Sequence, residues 1–270
     1  YGKGDESHLY RYLCERRSIM VHIVGAGPGD PELITMKGHR YLAEADVVIY
    51  AGSLVNPVLL DYCRKDAKIY NSAKMTLEEV VDVVKKAEAE KKMTVRLHTG
   101  DPAIYGAIQE QMDAFEKLGI DFDVVPGVSS FLATAAALKQ EYTLPGISQT
   151  VIVTRSEGRT PVPEREKLRA LAAHPSTMCI FLSIMMLSDV VEELIAGGYA
   201  PTTPIAIVQR ASWPEQKIVR ATLETIVKEI EGKNIDRTAM IVVSHCLGAD
   251  YELSRLYAPE FSHMFRNASK

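Results

Sequence analysis

Short apolar runs alternate with amphipathic stretches along most of the chain. In the first half, residues 21–24, 47–50, 94–97 and 122–125 are rich in Val and Ile and predict strands. The stretches between them carry helix signals. Asp30-Pro31-Glu32 sets a capping acid and an N1 proline before an amphipathic segment that runs to Ala45. Thr76 with Glu79 forms a capping box for a helix to about Lys91. A third helix is predicted from about Ile104 to Leu118, stopped by Gly119 just past its end. Strands separated by helices need crossover connections, which predicts a mainly parallel sheet.

The second half follows a different rule. Strands are predicted at residues 150–154, 178–182, 205–208, 217–220 and 240–244, and helices at 164–173, 187–196 and 223–230. The link from Gln209 to Gln216 is too short for a helical crossover, so the strands on either side of it are expected to be antiparallel. The predicted fold class is therefore α/β in two domains, with a mainly parallel N-terminal sheet and a mixed C-terminal sheet. The boundary is expected near Lys139 to Gly146, where an Ala-rich helix meets Leu144-Pro145-Gly146. Residues 1–18 lack this periodicity, so 1–19 is expected to be a disordered or added leader. The domains are then 20–140 and 141–250, followed by a tail, 251–270.

Composition narrows the function classes. A net charge of −4 argues against a nucleic-acid partner held by a basic surface. The four cysteines, Cys14, Cys63, Cys179 and Cys246, lie far apart without a C-x-x-C pair, which suits a reducing cytoplasm. No apolar stretch has the length of a membrane span. The seven histidines show no metal-ligand spacing, and no protein-bound metal is expected.

Chemistry is expected where loops leave strand ends. Gly25-Ala26-Gly27-Pro28-Gly29-Asp30 follows a strand, as a glycine-rich ligand loop should. Asp30 stands where a dinucleotide loop needs its third glycine, and a carboxylate there repels pyrophosphate, which disfavours a nicotinamide cofactor. The bland alternative is a tight turn with Asp30 as N-cap. His98-Thr99-Gly100-Asp101-Pro102 also ends a strand, and Asp101 reads equally as a ligand-facing carboxylate or a capped helix start. Pro126-Gly127-Val128-Ser129-Ser130 is the third such loop. Three of them at successive strand ends suggest a shared cleft. In the second half, Arg155 and Arg159 sit in a strand-end loop. They suit a multiply carboxylated substrate if shielded from water, and a solvated surface loop if not.

In order and spacing these loops resemble the tetrapyrrole (corrin/porphyrin) methyltransferase family. The matching stretches are G-A-G-P-G-D-P-E-L-I-T at 25–35, A-D-V-V-I-Y-A-G-S-L-V at 45–55, H-T-G-D-P-A-I-Y-G-A at 98–107 and V-V-P-G-V-S-S at 124–130. T-R-S-E-G-R-T-P-V-P-E at 154–164 and R-A-S-W-P-E-Q-K-I-V-R at 210–220 resemble the branch that methylates carbon 11 of cobalt-precorrin-4 in anaerobic corrin synthesis. The aerobic precorrin-4 branch, uroporphyrinogen-III methyltransferases, diphthine synthases and ribosomal-RNA ribose methyltransferases are alternatives on the same fold. A non-catalytic sensor of a nucleotide-like ligand is an alternative of another class.

The resemblance implies S-adenosylmethionine as methyl donor, S-adenosylhomocysteine as product, a cobalt-corrin substrate and a homodimer. It also implies a cofactor lying between the domains, beside a trough for the macrocycle. Carried over residue by residue, it implies cofactor contacts at Pro28, Thr99, Gly100, Asp101, Ile104, Ser129, Ser130, Ala211 and Met240. Leu182 joins them although many relatives have methionine there. Arg155, Arg159 and Tyr105 are the expected substrate contacts. Asp101 is the candidate for proton management, with loop ordering as its other reading.

Overall fold

The computed structural model describes residues 20–248, 251–254 and 258–268; the expected leader lies outside them. The chain divides into two compact units between Ala133 and Thr134. Among the described residues each unit holds one five-stranded sheet, and no helix is long and apolar enough to cross a membrane.

The first unit contains β1 (Val21–Gly25), β2 (Val47–Tyr50), β3 (Lys68–Asn71), β4 (Thr94–His98) and β5 (Phe122–Val125). Their spatial order is β3-β2-β4-β1-β5, and every pairing is parallel. Helices α1 (Met36–Glu44), α2 (Leu77–Ala89) and α3 (Gln109–Lys117) supply the crossovers. A parallel sheet covered on both faces needs apolar residues at successive strand positions, and β1 shows this. Val24 packs with Tyr41, Leu42 and Val95 on one face. Ile23 packs with Val80, Val84 and Phe115 on the other. Fully buried side chains such as Phe115 and Leu42 each contribute about 1.5–3 kcal/mol. The chain leaves β1 towards β2 and later crosses back over β1 to reach β5. This makes β4-β1-β5 the switch region, where open α/β sheets bind ligands at strand carboxyl ends.

The second unit contains β6 (Val151–Arg155), β7 (Thr177–Phe181), β8 (Pro204–Gln209), β9 (Lys217–Thr222) and β10 (Ala239–Val243). Its order is β6-β7-β10-β8-β9. Only β6 and β7 run parallel; β10 pairs antiparallel with β7 and β8, and β8 with β9. The short link after Gln209 thus closes a hairpin, as its length requires. One apolar core joins Ile180, Ile207 and Ile241 of the sheet to Val190 and Leu194 of α6 (Leu187–Gly197). α4 (Ser130–Leu138) contains the division between units, and α5 (Leu168–Leu171) and α7 (Ile226–Glu229) are single turns.

Several expected helices are corrected. The segment from Asp30 to Ala45 is a three-residue 3-10 turn, Pro31–Leu33, followed by α1, because Thr35 starts a new helix by accepting from the Gly38 amide at 3.0 Å. The helix expected from Ile104 begins only at Gln109. Tyr105 (φ 56°) and Ala107 (φ 49°) are left-handed, and no right-handed helix passes through such residues. The helix expected at 164–173 reduces to a 3-10 turn, Glu164–Glu166, and α5, and that at 223–230 reduces to α7. Strand β3 carried no expectation; three of its four residues are exposed, so it lacks an apolar signature. The capping box at Thr76 and Glu79 and the stop at Gly119 (φ 67°) form as expected.

Near the amino ends of β1 and β5, the buried His22 Nδ1 donates to Asp123 Oδ1 at 2.5 Å. Lys37 Nζ donates to Asp123 Oδ2 at 2.8 Å, and Tyr41 stacks on the His22 ring at 3.7 Å. Burial opposes the Asp123 charge, but the hydrogen bonds from His22 and Lys37 outweigh it and hold this carboxyl below its ordinary value. A depressed folded-state pKa gives stability that is present above the unfolded value, about 3.9, and is lost as pH falls through the folded one. Asp123→Asn is therefore expected to cost about 1–3 kcal/mol at neutral pH. It should also flatten the fall of melting temperature between about pH 5 and pH 2. Thermal melts of both proteins across that range check this.

Candidate active site

The three glycine-bearing loops leave β1, β4 and β5, which are neighbours in the first sheet. Their backbones touch. A Cβ on Gly127 would lie 2.2 Å from the Gly100 carbonyl oxygen and 2.9 Å from the Gly25 Cα. A Cβ on Gly25 would lie 2.7 Å from that same oxygen. No side chain fits there, so the glycines are required by close backbone approach rather than by ligand space. Gly27 and Gly100, both at positive φ, exchange amide hydrogen bonds of 3.2 and 2.7 Å and clamp the first loop to the second.

Side chains complete the junction. Asp101 Oδ2 accepts from the Gly127 amide at 2.9 Å, and Oδ1 accepts from the Ala103 amide at 2.8 Å. Both carboxylate oxygens thus hold backbone, one of them across to the third loop. Asn56 donates to the Gly29 carbonyl at 2.7 Å, and Thr99 donates to the Leu54 carbonyl at 3.4 Å. These two bonds draw the 51–56 stretch after β2 into the same cluster. Pro28, Gly100 and Ser129 are buried within it, whereas Ile104 and Tyr105 are exposed. Below the loops the side chains of His98 and Arg96 are buried. Burial, with the nearby Arg96 charge adding to it, pushes His98 down to about 3, so its ring is neutral. The buried His98 Nε2 has no hydrogen-bond partner.

The 25–30, 99–107 and 126–130 loops contain no Lys, Arg or His. Their polar groups are backbone amides, hydroxyls and the carboxylates of Asp30 and Asp101. Asp30 Oδ1 itself accepts from the Glu32 amide at 2.9 Å, so the turn start that a pyrophosphate would need is already filled by a carboxylate. This donor set suits the hydroxyls and cationic end of an adenosyl sulfonium compound and does not suit a dinucleotide. Among the described residues, no three His, Cys, Asp or Glu side chains gather as a metal-binding group.

The second unit makes a strand-end cluster of its own. Register places the ends of β6, β7 and β8 and the start of β10 at one edge, since Arg155 lies opposite Phe181, Ile241 opposite Ile180 and Met240 opposite Val208. Leu182, Ala211 and Met240 are thereby brought together at this edge. Ala211 and Met240 are buried. Leu182 is left-handed (φ 54°) and 64% exposed. Ser183 holds that turn: its Oγ donates to the Phe181 carbonyl at 2.7 Å and accepts from the Ser156 amide at 2.8 Å.

The two arginines part company. The Arg155 guanidinium donates to the carbonyls of Ser156, Thr160 and Pro161 at 3.2, 3.1 and 2.8 Å and so shapes its own loop. Arg159, on the tip of that loop, is exposed.

Sequence reasoning missed Asn56, Ser183, Arg96 and Gln111. Asn56 precedes a proline, which reads as a cap and not as a tie to a distant loop. Arg96 left a clue, because a charge inside a strand of a doubly covered parallel sheet needs an explanation.

The family model for tetrapyrrole (corrin/porphyrin) methylases matches residues 20–227. A cobalt-precorrin-4 C(11)-methyltransferase of Methanocaldococcus jannaschii is 57% identical over 251 residues, which are 93% of this chain and 97% of that protein. The X-ray structure of a cobalt precorrin-4 methyltransferase aligns with a TM-score of 0.84 and 47% identity, covering 87% of this chain and 98% of that one. A uroporphyrin-III C-methyl transferase from Thermus thermophilus, solved with S-adenyl homocysteine, aligns with a TM-score of 0.71 and 30% identity over 84% of this chain and 93% of that one. On these matches, and on the strand-end loops that carry its motifs, the chain belongs to the tetrapyrrole (corrin/porphyrin) methylase family.

Proposed function

We propose that this protein transfers the methyl group of S-adenosylmethionine to carbon 11 of cobalt-precorrin-4 in the anaerobic branch of corrin synthesis. The observation that carries this reading is the similarity to the Methanocaldococcus jannaschii relative along nearly the whole chain. When bound, the cofactor supplies a methyl group already activated by a sulfonium, so the protein needs neither a nucleophile nor a metal of its own for the transfer. What the protein contributes is placement. Correct placement of two reactants lowers a barrier by roughly 7–11 kcal/mol.

The glycine junction of the first unit offers a rigid backbone surface for the cofactor, bordered by Thr99, Ile104, Ser129 and Ser130. Asp101 acts here as a positioning residue, because its carboxylate joins the second and third loops. In the second unit, buried Ala211 and Met240 offer an apolar wall for the adenine side. The exposed Leu182 and Met185 offer apolar surface to a flat macrocycle. Arg159 offers a cation to its carboxylate rim, and Arg155 holds the loop that presents it. The family resemblance supports a homodimer, and the free Cys63, Cys179 and Cys246 support a reducing cytoplasm.

The deciding experiment supplies methyl-labelled cofactor with cobalt-precorrin-4, metal-free precorrin-4 and uroporphyrinogen III in parallel. Label at carbon 11 of the cobalt compound is the expected result. Preference for the metal-free compound would assign the aerobic branch, and label only on uroporphyrinogen would overturn the corrin reading. Asp101→Asn replaces one accepting oxygen by a donor, so S-adenosylhomocysteine affinity should fall about tenfold in calorimetry. Arg159→Ala should raise KM for the macrocycle by up to about fivefold, with S-adenosylhomocysteine affinity unchanged. Unchanged macrocycle kinetics would make Arg159 a solvated surface residue.

A further inference from the structure

Arg96 is the least expected residue of the first sheet. It lies within β4, opposite Ile23 of β1 and Ile49 of β2, and is 6% exposed. Burial pushes its guanidinium down to about 10, and among the described residues no carboxylate pairs with it. An apolar side chain would fill this position at no desolvation cost, so stability alone does not account for a buried, uncompensated cation. Two of its nitrogens are nonetheless directed. Nε donates to Gln111 Oε1 at 2.9 Å, and Nη1 donates to the Ile49 carbonyl at 3.2 Å.

That contact decides the orientation of the Gln111 amide. A guanidinium has only donors, so it requires the oxygen of Gln111 on its side and leaves the NH2 facing away. The NH2 donates to the Ala107 carbonyl at 2.9 Å. Ala107 ends the turn that carries Ile104 and Tyr105, and this turn is under backbone strain. Tyr105 and Ala107 both have positive φ, and a Cβ on Gly106 would lie 2.1 Å from the Pro102 carbonyl oxygen. A left-handed non-glycine residue is strained and persists only when its surroundings hold it. Asp101 holds one end of the turn. We propose that Arg96 and Gln111 form a buried positioning relay that holds the other end, setting Ile104 and Tyr105 against the bound cofactor and substrate. The relay rests on the functional reading above for what the turn contacts. Its hold on the turn is independent of that reading.

Gln111→Glu separates this role from simple neutralisation of a buried charge. The glutamate still accepts from Arg96, and adds a counter-charge, but it has nothing to donate to Ala107. The full chain carrying this substitution should melt at or above the wild-type temperature. Its amide hydrogen exchange across residues 103–108 should nevertheless quicken, and S-adenosylhomocysteine should bind about tenfold more weakly by calorimetry. Gln111→Met, which removes both bonds at similar volume, should loosen the same turn and serves if the glutamate variant folds poorly. Wild-type exchange in the turn and wild-type affinity in both variants would overturn the relay. A wild-type protein that bound no S-adenosylhomocysteine would overturn the functional reading instead, and the exchange data would still support or overturn the relay.

Discussion

Backbone-to-backbone contact at the carboxyl ends of β4, β1 and β5 is the constraint on which the first unit's strand-end loops depend. Gly25, Gly100 and Gly127 approach so closely that a methyl group on Gly25 or Gly127 would collide with the main chain of its neighbours. Loops joined in this way share their hydrogen bonds, and a shift in one moves the others. Asp101, Thr99 and Asn56 extend the same logic outward by tying further main-chain groups to the junction. A methyl transfer that relies on placement needs such a surface more than it needs a reactive side chain.

Charge is distributed unevenly between the two ends of the first sheet. The His22–Asp123–Lys37 cluster lies towards the amino ends of β1 and β5, away from the glycine-bearing loops. At the carboxyl ends of β1, β4 and β5 the glycine-bearing loops carry no cation, and of the basic groups beneath them His98 is neutral and Arg96 is turned into its own network. This leaves backbone donors, hydroxyls and carboxylates as the polar groups of those loops. In the second unit Arg159 stands exposed at the tip of a loop, whereas Arg155 in the same loop is turned onto the carbonyls of its own backbone.

The two units reach strand-end sites by different topologies. The first is wholly parallel, so its three glycine-bearing loops all leave carboxyl ends. In the second, antiparallel pairing brings the start of β10 beside the ends of β7 and β8, which is why Met240 joins Leu182 and Ala211 from so far along the chain. Neither arrangement follows from motif spacing alone. Each follows from strand order.

Much was legible in the chain itself. Among the described residues, sequence patterning located nine of the ten strands, the short Gln209–Gln216 link required a hairpin, and Thr76 with Glu79 marked a helix start that forms as expected. The glycine-rich loops and their order carried the family. These features are local: periodicity, turn chemistry and capping act over a few residues, so the sequence determines them directly. Tertiary structure decided the rest. It delayed the start of the helix expected from Ile104 to Gln109 by holding Tyr105 and Ala107 left-handed, and it turned Asp101 into a junction residue and Arg155 into a loop former. It also recruited Arg96 and Gln111, fifteen residues apart in the chain, into one network. Those outcomes depend on which groups meet across strands, and a hydrogen-bond partner distant in sequence leaves no local trace.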